Sequence, residues 1–173
     1  MKSIKKIALF MAVSITGFNA FSQTTTDVVD IAIASKDHTT LVAAVKAADL
    51  VETLKGKGPF TVFAPTNAAF EKLPKGTVES LLMPESKATL SSILTYHVIA
   101  GKINAEAVVA AIKKGNGKAV LTTVNGAKLT ASMEGKNVIL SDAKGGKAIV
   151  TATDLMGSNG VVHVIDAVLM PGK

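Results

Sequence analysis

Thr61-Val62-Phe63-Ala64-Pro65-Thr66-Asn67-Ala68-Ala69-Phe70 is the stretch on which the fold turns. The run from Phe60 to Ala64 is apolar, β-branched and aromatic, and it reads as a buried strand. Pro65 removes a ladder donor and biases Ala64 to extended geometry. Thr66 or Asn67 can then accept helix N-terminal amides and open a short helix from Ala68 to Leu73. Phe63 and Phe70 supply the largest core side chains available. The stretch is therefore a strand-to-helix corner.

Outward from this corner, the first half of the chain is helical. Asp27-Val28-Val29-Asp30-Ile31-Ala32 carries apolar residues at i, i+3 and i+4. Thr39 or Thr40 is expected to cap a helix through Leu41, Val42, Val45 and Ala48, followed by a piece with Val51 and Leu54. Gly56-Lys57-Gly58-Pro59 stops it. Thr77 to Met83 and Glu85 to Thr95 are two further helices parted by Pro84, and Asn104 caps Ala105 to Lys114. After Gly115-Asn116-Gly117 the period changes to two. Ala119 to Val124 and Lys128 to Met133 flank Asn125-Gly126, a hairpin signature. Val138 to Leu140, Ala148 to Thr153, Val161 to Asp166 and Val168 to Met170 are the remaining strand signals. Helices first and antiparallel strands second argue for an α+β fold, with the early Phe60–Ala64 strand joining the late sheet. No linker or internal repeat divides it.

Met1-Lys2-Ser3-Ile4-Lys5-Lys6 is a cationic start to an uncharged run from Ile7 to Phe18, with Ala20 and Ser22 small before a cut after Ser22. This reads as a cleaved signal peptide over residues 1–22, leaving one domain over 23–173 that is secreted or periplasmic, with no membrane span after leader cleavage. The chain has no cysteine, so disulfides, Cys-bound zinc and thiol nucleophiles are excluded. All 19 cations are lysines, so no guanidinium fork is available. The aromatics are few and tryptophan is absent, so stacking platforms for sugars or single strands are poor, and nucleic acid is not expected as a partner. Removing the leader lowers the formal charge from +6 to +3, and residues 101–150 hold eight lysines against three acids. Lys113, Lys114, Lys118, Lys136, Lys144 and Lys147 sit mostly in turns. They are either solvated lysines that suppress edge pairing or a basic face for an anionic surface polymer.

Catalytic spacings are missing: there is no His-Glu-x-x-His, no Gly-x-Ser-x-Gly and no Walker-type loop. Ser141, His163 and Asp166 are residue types that a catalytic set would use, but nothing in their spacing recommends them. No enzymatic activity, cofactor or metal site is expected, and no N-glycosylation sequon occurs. His163 alternates within a strand and reads as a satisfied or surface histidine, and His38, before a helix cap, reads as exposed.

Three segments stand together in order: Thr61 to Phe70, Leu94-Thr95-Tyr96-His97-Val98-Ile99-Ala100-Gly101, and Asn159 to Pro171. They resemble the H1, Tyr-His and H2 segments of the fasciclin (FAS1) domain family, and the resemblance runs from about Asp27 to Pro171. It implies a wedge-shaped, mostly antiparallel β-sandwich with N-terminal helices packed against it. The function implied is adhesion outside the cytoplasm, without turnover, to a cell-surface or matrix protein or polysaccharide. Tyr96-His97 would carry fold integrity, cell-adhesive contacts, or both. Asp154-Leu155-Met156 resembles the Asp-Ile-Met adhesion motif of some animal members, although Ala152-Thr153 stand where those members have Glu-Pro. The alternative is an exported small-ligand or anionic-glycan binding module using the lysine-rich 101–150 region.

Overall fold

A computed structural model describes residues 26–172, so the leader expected over residues 1–22 lies outside the described residues. Helix α1 (Val28–Ala34) starts at a capping box: Asp27 accepts from the amides of Val29 and Asp30, and Asp30 accepts from the amide of Asp27. Lys55 ties both carboxylates at 2.9 and 2.6 Å. A 3₁₀ turn (Lys36–His38) leads into α2 (Thr39–Ala47) and α3 (Val51–Leu54).

The corner forms as the sequence predicts. Strand β1 (Phe60–Pro65) ends and α4 (Asn67–Glu71) begins, with the Thr66 hydroxyl accepting from the Ala69 amide. Asn67 does not cap its own helix. Its carbonyl oxygen accepts from the Thr40 amide at 3.0 Å and its amide donates to the Lys36 carbonyl. Thr39 and Thr40, expected as caps of α2, are its first residues instead, and the cap comes from across the fold.

Next come α5 (Thr77–Leu82), a 3₁₀ turn (Pro84–Ser86) and α6 (Lys87–Tyr96). Strand β2 (Val98–Ala100) precedes α7 (Ala105–Lys114), whose N-cap is Asn104. Strands β3 (Lys118–Thr122) and β4 (Lys128–Glu134) form the Asn-Gly hairpin, with Gly126 at positive φ. Strands β5 (Asn137–Ser141), β6 (Lys147–Gly157) and β7 (Gly160–Ile165) complete the chain of strands. Val168-Leu169-Met170, expected as strand, is not one: it is an irregular tail whose Leu169 is fully buried.

The strand order is β2-β1-β7-β6-β5-β4-β3. All neighbours are antiparallel except β1 and β7, which run parallel from Phe60 opposite Gly160 to Pro65 opposite Ile165. Strand β6 passes from one half of the sheet to the other. Lys147 to Ile149 pair with β5, and from Val150 to Gly157 it pairs with β7 through two register shifts. The Val124 amide donates to the Val98 carbonyl at 2.8 Å, which stitches the two outermost strands together.

Two apolar clusters lie on opposite faces of the β2-β1-β7 layer. Phe63, Tyr96 and Ile165 pack with Leu129, Leu140, Val108 and Ile112, filling the space between the two halves of the sheet under α7. Ala64, Val98 and Val162 pack on the other face against α1, α2, α3 and α6. Alternation along β1 and β7 delivers one residue in two to each core. At the junction, Asn159 accepts from the Val28 amide and donates to the carbonyls of Leu54 and Gly56. Gly160 follows because a Cβ there would sit 2.2 Å from the Phe60 carbonyl oxygen.

Candidate interaction site

Tyr96 and His97 end α6 and point inward. Tyr96 is fully buried and its hydroxyl donates to the Lys128 carbonyl at 2.9 Å, holding the β3–β4 hairpin to α6. Asn125 reinforces the same junction by donating to the Ser92 carbonyl. His97 is 2% exposed. Its Nδ1 lies 2.8 Å from the Ile93 carbonyl and its Nε2 accepts from the Leu169 amide at 3.0 Å, which requires Nδ1 to carry the proton in the neutral ring. Burial lowers its pKa to about 4, against smaller opposing effects of the Ile93 carbonyl and Asp142. Asp142 holds the same tail from the other side by accepting from the Met170 amide. Every polar atom of the Tyr-His pair is thus committed inside the fold.

Asp154, Leu155 and Met156 lie within β6 at its second register shift. Asp154 has φ 59°, a left-handed conformation that Asp tolerates better than most residues. Its carboxylate accepts from the Ala105 amide at the start of α7, and its own amide donates to His163 Nδ1. Leu155 and Met156, by contrast, are 39% and 53% exposed. Leu155, opposite Val162, sits beside a groove of about 330 Å³ walled by Ile31, Ala32 and Val164. Met156, opposite Val161, emerges on the other face of the sheet.

The remaining histidines are interior. His163 stacks on Phe63, its neighbour in register, with ring centroids 5.6 Å apart, and its Nε2 donates to the Ile103 carbonyl. His38, expected to be exposed, is buried: the 3₁₀ turn folds it under, with Nδ1 on the Ser35 hydroxyl, and burial lowers its pKa.

The profile described as Fasciclin domain matches residues 36–171. The chain belongs to the fasciclin domain family. Among curated proteins it is similar to Protein sll1483 of Synechocystis sp., 49% identical over 154 residues that cover 87% of this chain and 78% of that protein. It is 38% identical to the Immunogenic protein MPB70 of Mycobacterium bovis over 82% of this chain and 68% of that protein. It is 32% identical to human Periostin over 87% of this chain but only 16% of that protein. Among solved structures it matches a FAS1 domain pair from the insect cell adhesion molecule Fasciclin I, with TM-score 0.73 and 19% identity. That match covers 83% of this chain and 50% of the pair, and establishes the fold.

The lysines of this fasciclin domain divide into groups. Lys113 and Lys114 end α7, Lys118 starts β3, and Lys136 sits in the β4–β5 turn. Lys144 lies in the β5–β6 turn, beyond Ser141 at the opposite end of β5. Lys147 pairs with Glu134 at 2.8 Å. That pair spans β5 on the face from which Ile139 projects, which accounts for Ile139 being only 3% exposed. The six lysines, read from the sequence as either solvated turn lysines or a basic face, separate into a cluster of four, one at the far end, and one in an ion pair.

Ser141, His163 and Asp166 do not meet as a catalytic set. Both His163 nitrogens are held by backbone groups, and Asp166 accepts from the Ile149 amide and pairs with Lys72. No group of three or more metal-ligating side chains occurs among the described residues, and no described helix is long and apolar enough to cross a membrane. Sequence reasoning missed Thr61, whose buried hydroxyl donates to the Gly101 carbonyl and accepts from the Ile103 amide. The signal available was a polar residue inside the apolar run Phe60 to Ala64.

Proposed function

We propose that this fasciclin domain is exported behind its leader and acts as a non-catalytic adhesion module for a cell-surface or matrix protein. The free flank of β6 is its contact surface. Family membership supports the adhesive class, and the solved neighbour is part of a cell adhesion molecule. The observation that carries the placement is the division of labour at β6: Asp154 is bound inward while Leu155 and Met156 stand exposed on opposite faces. Among the described residues the strand pairs with β7 alone from Val150 to Gly157, so a partner gripping this edge meets both side chains. Tyr96 and His97 serve this surface from within, by fixing α6, the hairpin and the C-terminal tail.

The test is adhesion of beads coated with residues 23–173 to intact cell layers and matrix fractions. Leu155→Ser with Met156→Ser should abolish retention while leaving the thermal melt unchanged. Full retention by the folded double variant would remove β6 from the contact, and no retention of the parent domain on any surface would remove the adhesive reading itself.

A further inference from the structure

The charge of residues 101–150 is concentrated by the topology. Lys118 lies opposite Ser132 and Glu134 opposite Asn137, so the α7–β3 turn comes beside the β4–β5 turn. Lys113, Lys114, Lys118 and Lys136 consequently share one end of the hairpin sheet, all exposed. The acid at that end, Glu134, is neutralised by Lys147, and none of the four lysines forms an ion pair among the described residues. Two of them close α7, where cations also favour the helix dipole, but that accounts for neither Lys118 nor Lys136.

The face that leads away from this end is rich in polar side chains. Register places Lys118 and Thr122 of β3 on one face with Lys128, Thr130 and Ser132 of β4. These are ammonium groups and hydroxyls, and no aromatic residue lies on this face. We propose that this end and face bind a linear anionic polysaccharide, with the four lysines holding successive carboxylates or sulfates and the hydroxyl rows meeting sugar hydroxyls. Lysine offers a compact charge without a fixed fork, which suits flexible, irregularly spaced anions. A nucleic acid would be served by stacking rings, which this face lacks. A membrane surface would be served by apolar side chains flanking all the cations, and the exposed large apolar side chains on this face are Val120 of β3 and Ile149 of β6. The proposal is independent of the β6 contact, since it uses neither Leu155 nor Met156.

The test measures anisotropy of labelled polygalacturonate and of labelled dextran sulfate with residues 23–173. Neutral dextran and phosphatidylglycerol vesicles are run beside them. Binding of either anionic polymer, weakening steeply as salt rises, is expected. Lys113→Gln, Lys114→Gln, Lys118→Gln and Lys136→Gln together should reduce it at least about tenfold. Lys36→Gln, Lys46→Gln, Lys57→Gln and Lys75→Gln together remove the same charge from exposed sites elsewhere and should cost less than about twofold. Thermal melts verify that both sets fold. Equal losses in the two sets would reduce the effect to net charge and overturn the site. Binding to vesicles but to neither polymer, or equal binding to neutral dextran, would overturn the ligand class.

Discussion

Tyr96-His97 and Asp154-Leu155-Met156 are both short motifs that the sequence marks as contact candidates, and the fold treats them in opposite ways. The first pair is sealed, with its hydroxyl and both ring nitrogens satisfied by backbone groups of the hairpin, the helix and the tail. The second is split: Asp154 is anchored to α7 and β7, and its two apolar neighbours are left in solvent. A motif therefore reports a constrained position before it reports a contact. Only burial and hydrogen bonding separate the residue that builds a surface from the residue that is the surface.

The sharpest way to break this contrast is at His97. His97→Ala removes two buried hydrogen bonds and leaves a cavity, and should cost about 3–4 kcal/mol in urea unfolding. A loss below about 1 kcal/mol would put the ring at the surface. Acid probes the same residue without mutation. His97 takes its proton near 6.5 in the unfolded chain but at about 4 in the folded one. Between those values the unfolded state binds more protons, so the contribution is complete above about pH 6.5 and falls as pH drops toward 4. The loss should approach about 3 kcal/mol. His38 shifts in the same direction, so His97→Gln should flatten most of the slope in this window while leaving a residue from His38.

Asp154→Ala should cost about 2 kcal/mol, from the lost acceptor at α7 and the left-handed backbone, and Asp154→Asn should restore much of it. Tyr96→Phe keeps the packing and loses one bond to a buried carbonyl, for about 1 kcal/mol by thermal melt. Leu155→Ser with Met156→Ser should change stability by no more than about 0.5 kcal/mol, because neither side chain is buried. A large destabilisation there would erase the distinction between the two motifs.

Local chemistry was legible in the sequence. Thr66 and Asn104 cap where their positions predict, Asn125-Gly126 makes the hairpin, and Pro84 parts two helices. The joining of Phe60–Ala64 to the late strands was legible as a need of the core, but its parallel pairing with β7 was not. What escaped depends on distant partners. Asn67 caps a helix 27 residues upstream, and His38 is buried by a turn whose packing no local pattern encodes. Asp154 continues β6 through positive φ, a conformation that strand propensity counts against. In the candidate site, residue types were readable but their exposure was not, because exposure is set by which elements come to lie above them.

The position of β7 has a consequence in time. It is the last of the described strands, yet it lies between β1 and β6 and meets β1 across 100 residues of sequence, from Phe60 to Gly160. During synthesis, helices and hairpin can form as they emerge, but β1 has no partner on that side until Ile165 has appeared. The layer that divides the two cores is then completed in one late step, and the half-made domain presents Ala64 and Phe63 uncovered until it happens. A chain truncated before Gly160 should thus be held by chaperones and cut by proteases, and a chain that includes β7 should escape both.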